Sequence, residues 1–463
     1  MRLQEVLLQT KVLTRSAKFI FLLGISLGYF MVLLDMTVVS VALPAIHTDL
    51  GGGLSGLQWV VNAYTMVFAG LMLSMGTMTD KFGAKRVFIG GLVLILAASG
   101  ISAAVTSLGA LITMRAVLGI GGAALLPASL TLIAHAYPDP GERARALGIW
   151  AAVTGIALAA GPVVGGLLVD SLGWRSIFLL NIPIAIVSLA ITWVSIKETS
   201  RNAKRNLDIG GQLLAIVSIV ALSYALMEGE SYGWSSPVIL GTLGLALLST
   251  ILFIIVEARS KTPLIPLQLF RSPSLSAGMS AGMLINIGLS GILFIIPIFF
   301  QQERGLSAHA AGLALLPMMI PMAINPIFTG RIVSRVGPRM PMTFGFASAA
   351  AGTALLVGVN VTTSYWLTLT GLILLGYGIS LTIPSLMAAV ISSVPKDQVG
   401  IASGMINSSR QLGATLGVAM MGIIVSSYSS FVTGMHASLF VTALILLGGS
   451  LLSYLMVGRV RKS

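Results

Sequence analysis

Few residues of this chain could do chemistry, and the foremost is an acid where acids are costly. Asp35 is the only charged side chain in an apolar stretch running from Phe19 to Ile46. A carboxylate at the centre of a spanning helix costs about 3 kcal/mol even on lenient insertion scales, so it reads first as an ion, proton or substrate site. Arg115 and Arg410 are two further charges set inside apolar blocks. Glu228 and Glu230 stand at the end of another block. They read mainly as interfacial groups, with a part in substrate exit as the sharper alternative. His47, His135, His309 and His436 fall at block ends and do not cluster, so no metal site is expected. The chain has no cysteine, which removes disulfides and thiolate chemistry. No phosphate-binding loop signature supports a nucleotide-driven pump. No serine-elbow or zinc-helix signature supports a hydrolase.

These residues must be positioned by helices in a membrane. Apolar residues make up 56% of the 463 and charged residues 9%, where a soluble domain carries roughly a quarter charged. The apolar residues come in blocks of about 20, the length that crosses the hydrocarbon core as a helix. The expectation is an all-α membrane protein with fourteen spanning blocks at 17–45, 55–76, 85–106, 108–134, 144–169, 175–196, 207–228, 236–257, 274–300, 307–330, 339–359, 364–391, 399–427 and 436–458. The net charge of +13 does not point to nucleic acid, because the basic residues cluster between blocks, as topology signals do. With the N-terminus inside, 23 of the 27 basic residues fall on the cytoplasmic side. This segregation predicts cytoplasmic N- and C-termini. Leu3 to Lys18 reads as a short interfacial helix, and no cleavable signal peptide is evident.

The chain also repeats itself. GTMTDKFGAKR at Gly76–Arg86 recurs as GRIVSRVGPRM at Gly330–Met340. Gly119, Gly121 and Pro127 recur as Gly376, Gly378 and Pro384, and Ala146, Gly148 and Gly161 as Ala402, Gly404 and Gly417. The offsets are nearly constant, at 254 to 257 residues. Two parallel six-helix bundles, 17–196 and 274–458, are therefore expected. Segment 197–273 would supply two inserted helices, with 1–16 and 459–463 as cytoplasmic ends.

With these motifs in view, the chain resembles the major facilitator superfamily, and within it the fourteen-helix drug:proton antiporters of the quaternary-ammonium and multidrug resistance type. LDMTVVSVALPAI (Leu34–Ile46) resembles that family's first-helix signature, and Arg115 with Gly119 its fourth-helix motif. Gly76, Asp80, Gly83, Lys85 and Arg86 match the superfamily's loop motif, and GIALAAGPVVGG (Gly155–Gly166) the fifth-helix antiporter motif. LQWVVNAY (Leu57–Tyr64) and WRSIFLLNIPI (Trp174–Ile184) look typical of the fourteen-helix branch. The resemblance implies a multi-pass transporter of a bacterial cytoplasmic membrane. It would be cofactor-free and monomeric, and a proton gradient would drive export of hydrophobic, amphipathic, often cationic compounds.

Physical reasoning supplies roles beside the resemblance. Asp35 lies roughly 16 Å below the outer end of its helix and Arg115 roughly 12 Å deep, at 1.5 Å per residue. The two are expected to be neighbours. A guanidinium favours the ionised acid and a dry site the neutral one, so such a carboxylate can load and release a proton. A purely structural ion pair is the bland alternative. The second half has Leu372 in place of Arg115 and Gly288 or a neighbour opposite Asp35, which favours function over scaffold. Gly155, Gly161, Gly165 and Gly166 allow close helix approach and Pro162 a bend, for a seal or simply for packing. Asp80 with Lys85 and Arg86 could latch the cytoplasmic side, or serve only as a topology signal. Asp35, Gln58, Asn62, Tyr64, Asn286, Asn407 and Arg410 are the candidate cavity residues. Arg410 has no acid of its own half at its depth and sits awkwardly with a purely cationic substrate. Rival readings are a dedicated exporter of one antibiotic, lipid or metabolite, a non-transporting receptor or scaffold, and a proton-driven importer.

Overall fold

The computed structural model describes residues 15–458 except 197, 200–207, 261–262 and 396–397. Most of the expected interfacial helix, part of the basic loop after residue 196, and the C-terminal tail lie outside the described residues. The helices are α1 (Arg15–Leu50), α2 (Gly53–Phe82), α3 (Ala84–Ser102), α4 (Leu108–Ala136) and α5 (Pro140–Leu172), then a turn Ser176–Leu179 leading into α6 (Asn181–Ser195). Next come α7 (Ile209–Tyr232), α8 (Pro237–Arg259), α9 (Pro273–Ile298) and a broken helix of three pieces, α10a (Ala308–Ala314), α10b (Leu316–Ile324) and α10c (Pro326–Val336). The chain closes with α11 (Arg339–Val357), α12 (Tyr365–Ser392), α13 (Val399–Ser426) and α14 (Phe431–Met456).

Among the described residues, eleven helices are long and apolar enough to cross a membrane, and up to thirteen if each of two bent pairs is one span. One bent pair lies within α2, at 56°, and the other is α10b with α10c, at 52°. The tenth block, expected as one piece over 307–330, breaks at Leu315 and Asn325, beside Pro317 and Pro326, each of which removes a backbone donor, while Pro321 lies inside α10b. Helix starts follow capping chemistry. Asp139, Asp208 and Ser236 accept from the backbone N–H of Glu142, Gly211 and Ile239, each satisfying a donor that the first turn leaves open. The repeated loop needs glycine in both copies, since Gly83 has φ 97° and Gly337 φ 77°.

The same pairing of helices occurs in each half. In the first, α1 packs on α5 and α6, α4 on α2 and α3, and α3 on α6. In the second, α9 packs on α13 and α14, α12 on α10b and α11, and α11 on α14. The halves meet where α2 lies on α13 and α5 on α10a and α10b, while α7 touches both α2 and α13. Among the described residues, the hydrogen bonds that cross between the halves gather toward the end expected to face outward. Gln58 donates to the carbonyls of Val418 and Ala419 at 2.9 and 3.0 Å, and Gln301 to that of Val41 at 3.0 Å. Asp170 accepts from the N–H groups of Ala308 and His309 at 3.1 and 2.9 Å. Thr65 and Thr415 bond at mid-helix, at 3.1 Å.

Candidate functional site

Asp35 and Arg115 meet. Asp35 is 3% exposed and Arg115 1%, so the ion pair is shielded from solvent. Arg115 Nη1 donates to Asp35 Oδ2, while its Nε donates to the carbonyl of Val60 at 2.9 Å. The guanidinium lies over the Tyr64 ring, 4.7 Å from its centroid, a further favourable contact for a cation. The second carboxylate oxygen is held by Asn181, whose Nδ2 donates to Asp35 Oδ1 at 3.1 Å and to Ser99 Oγ at 3.2 Å. The cluster therefore joins α1, α2, α3, α4 and α6 in the first half alone.

Small residues on α4 make this approach possible. A Cβ at Gly119 would sit 2.6 Å from the Tyr64 carbonyl oxygen, and one at Gly122 2.7 Å from the Tyr64 hydroxyl. Asn181 was not among the anticipated site residues. Its signal was an amide inside the apolar run WRSIFLLNIPI, where a buried polar group requires a partner. Such a cluster can hold a charge away from water and exchange a proton if the surrounding helices part.

The remaining candidates divide by what they touch. Gln58 and Asn62 are packed between helices. Gln58 reaches α13 as described above, and Asn62 Nδ2 contacts Met227 Sδ on α7 at 3.2 Å. Asn286 donates to the Gly282 carbonyl of its own helix at 3.0 Å. Asn407 donates to the Ser403 carbonyl at 2.9 Å, and its Oδ1 faces Arg410 Nη1 at 3.4 Å. Glu228 accepts from Ser55 Oγ and Trp59 Nε1, both at 2.7 Å, tying α7 to α2.

The fifth-helix motif faces two ways. A Cβ at Gly161 would strike Thr37, and one at Gly165 Val38, both on α1 of the same half. A Cβ at Gly166 would lie 2.3 Å from the Ala308 carbonyl, and Pro162's own carbonyl lies 2.1 Å from the Cβ position of Gly312. Gly155 stands near Ala323, with a Cβ position 3.6 Å from its carbonyl. One edge of the motif thus builds its own bundle and the other edge lies against α10 of the second half.

At the opposite end, the acid that meets the loop motif is Glu198, another residue missed from sequence. Its Oε1 accepts from the Lys85 N–H at 3.1 Å, and its Oε2 lies 3.7 Å from Arg86 Nε. Lys85 Nζ donates to the carbonyls of Trp193 and Ile196 at 2.9 and 2.7 Å. Gly83 is needed for space as well as conformation, since a Cβ there would be 2.3 Å from Glu198 Oε1. A Cβ at Gly76 meets open space. In the second copy, Arg339 lies over the Tyr454 ring at 4.5 Å. Among the described residues, no three metal-ligating side chains converge.

Comparison with known proteins places this geometry in a wider set. The model of a family described as Major Facilitator Superfamily matches residues 25–418. A Methylenomycin A resistance protein of Bacillus subtilis (strain 168) is 35% identical over 422 residues, covering 91% of this chain and 90% of that protein. Multidrug resistance protein Stp of Mycobacterium tuberculosis (strain CDC 1551 / Oshkosh) is 35% identical over 409 residues, covering 88% and 76%. Among solved structures, a bacterial homolog to the human lysosomal transporter Spinster, inward-facing and unoccupied, gives a TM-score of 0.70 at 15% identity, covering 96% of this chain and 98% of that one. A D-xylose-proton symporter gives 0.70 at 14% identity, covering 96% and 99%. At those identities the structural likeness concerns the fold.

Proposed function

The chain belongs to the major facilitator superfamily, and on that premise we propose that it is a secondary active exporter. It moves hydrophobic and amphipathic drugs, cations among them, out of a bacterial cell in exchange for protons. The observation that carries this reading is the closed Asp35–Arg115–Asn181 cluster, a titratable group with every oxygen held, inside the first bundle. Antibiotic and multidrug resistance proteins related over most of their length support the choice of substrate class.

In this reading α1 to α14 are fourteen spans in the cytoplasmic membrane, with both termini in the cytoplasm. Residues 17–196 and 274–458 are the two moving bundles, and 197–273 supplies the inserted pair. The protein acts as a monomer without a cofactor, and the proton gradient supplies the energy. The described conformation then opens inward. Gln58, Asp170 and the α5–α10 contact seal the outside, while the loop motif with Glu198 stands ready to close the inside. When the cycle opens the outer side, a proton reaches Asp35 and weakens its hold on Arg115, and drug departs. When it opens inward, Arg115 reclaims the carboxylate as the proton leaves to the cytoplasm.

The test is flux in proteoliposomes under an imposed pH gradient, with a panel of cationic, neutral and acidic dyes. The wild-type chain should move several of them against their gradients, and Asp35→Asn should move none. Undiminished pH-driven export by Asp35→Asn would remove the assigned proton site. Export restricted to one compound would favour the dedicated exporter.

A further inference from the structure

Arg410 is a charge that the proton cycle does not use. It lies about 16 Å into α13 from Val399, and its stem passes over α9, where Cγ is 3.1 Å from the Cβ position of Gly282. None of the four ion pairs among the described residues includes it. Its Nε is shut off from solvent without an acceptor, and the one bond from Nη1, to Asn407 Oδ1, is long at 3.4 Å. Across the boundary between halves stands Tyr29 of α1, within electrostatic reach of Arg410. Tyr29 stacks on Trp150 of α5, with ring centroids 4.9 Å apart and planes 13° from parallel. The indole Nε1 of Trp150 is likewise buried with no acceptor.

The position of this group matters as much as its composition. Gln411, the next residue, touches Met36 on α1, and Thr415, Val418 and Ala419 continue the contact outward to α2. Arg410 thus stands next to that closure, on its Val399 side. Trp150 lies about 7 Å before the α5–α10 contact at Gly155, and Tyr29 about 10 Å before Met36. All three stand just past the contacts between the bundles, on the side expected to face the cytoplasm. The guanidinium Nε and the indole Nε1, each buried without an acceptor, are costly unless a visitor supplies oxygen atoms. A flat aromatic pair beside them offers an apolar face.

We propose that Tyr29, Trp150, Asn407 and Arg410 form a binding site for amphipathic organic anions, aromatic or cyclic compounds carrying a carboxylate or comparable acidic group. Arg410 takes the acid, Trp150 donates a further hydrogen bond, and the Tyr29–Trp150 stack carries the ring system. The inference rests on the export reading and refines its substrate class. Charge selection then belongs to the second bundle and proton handling to the first.

The experiment compares the full-length wild type, Arg410→Gln and Arg410→Lys in proteoliposomes under one pH gradient. Fluorescein serves as the aromatic carboxylate and ethidium as the cation. The expected result is pH-driven fluorescein export by the wild type. Arg410→Gln should raise its KM by about tenfold or more, the loss expected for a charge-assisted hydrogen bond, and Arg410→Lys should fall between. Ethidium export should change far less than fluorescein export in both variants, and should not fall. Thermal unfolding of Arg410→Gln should be no easier than that of the wild type, because an unpaired charge is being removed. The inference is overturned if the wild type moves ethidium and not fluorescein, or if Arg410→Gln slows both dyes equally or neither. A marked drop in thermal stability of Arg410→Gln would also overturn it by making Arg410 a scaffold residue. If no dye moves under the gradient, the export reading fails and this one with it.

Discussion

The two halves of this molecule pair their helices in the same order, yet they treat buried charge in opposite ways. In the first half a carboxylate and a guanidinium satisfy each other, and Asn181, Ser99 and the Val60 carbonyl complete the set. In the second half the position of Arg115 is occupied by Leu372, fully buried, and Arg410, within α13, has a donor with nothing to accept it. The repeated loop differs too, since Lys85 donates to main-chain carbonyls while its counterpart Arg339 lies over an aromatic ring. A duplicated scaffold does not need a charge at a given place in order to fold. Charges present in one copy only are therefore the ones to examine for function.

The strongest way to break this contrast is to make the first half resemble the second. Asp35→Asn should reduce pH-driven export to background. It should also lower stability by about 3–5 kcal/mol, because a buried cation loses its partner. Adding Arg115→Leu, the residue of the second copy, should recover much of that stability, since apolar replacement of a buried pair is often neutral, and should leave transport at background. Thermal unfolding and dye flux on the same preparations separate the two effects. If the double variant exports, the pair is scaffold. A smaller effect is expected from Gly166→Ala, which forces a Cβ against the Ala308 carbonyl and costs about 1–3 kcal/mol of overpacking. It should loosen the outer seal, visible as proton leak without drug. Gln58→Ala removes two bonds to α13 carbonyls, worth about 1–2 kcal/mol together. It should favour the outward-open population, measured as longer spin-label distances between the outer ends of α2 and α13. Glu198→Gln should do least. Its partner Arg86 is 65% exposed, and such pairs contribute less than about 1 kcal/mol.

The large features were legible in the amino-acid pattern because each is written in many residues at once. Apolar block length marks helices, and constant offsets of glycine and proline mark the repeat. Asp35 and Arg115 were legible as partners because depth along a helix follows directly from residue count. Asn181 and Glu198 were not, for a common reason. Each acts through one contact set by how helices rotate about their axes, and no periodicity records that angle. Gln58 and Asn62 looked like cavity residues because they are polar in an apolar helix, but both reach across to neighbouring helices. The breaks in α10 were signalled by Pro317 and Pro326, but a proline in a bundle can also be absorbed, as Pro321 is within α10b and Pro162 within α5.

The helix α7 carries one further consequence. Its polar side chains reach α2 along its whole length, through Gln212 to Ser74 and Gly70, Met227 to Asn62, and Glu228 to Ser55 and Trp59. Toward α13 it offers the apolar contact of Met227 with Ala419. It is therefore fastened on one side and greased on the other, a shutter hung on α2 over one of the two seams between the halves. The α5–α10 seam has no such shutter among the described residues. A molecule built from near-twin halves thus has one seam covered by a helix and one left uncovered, which gives it a front and a back.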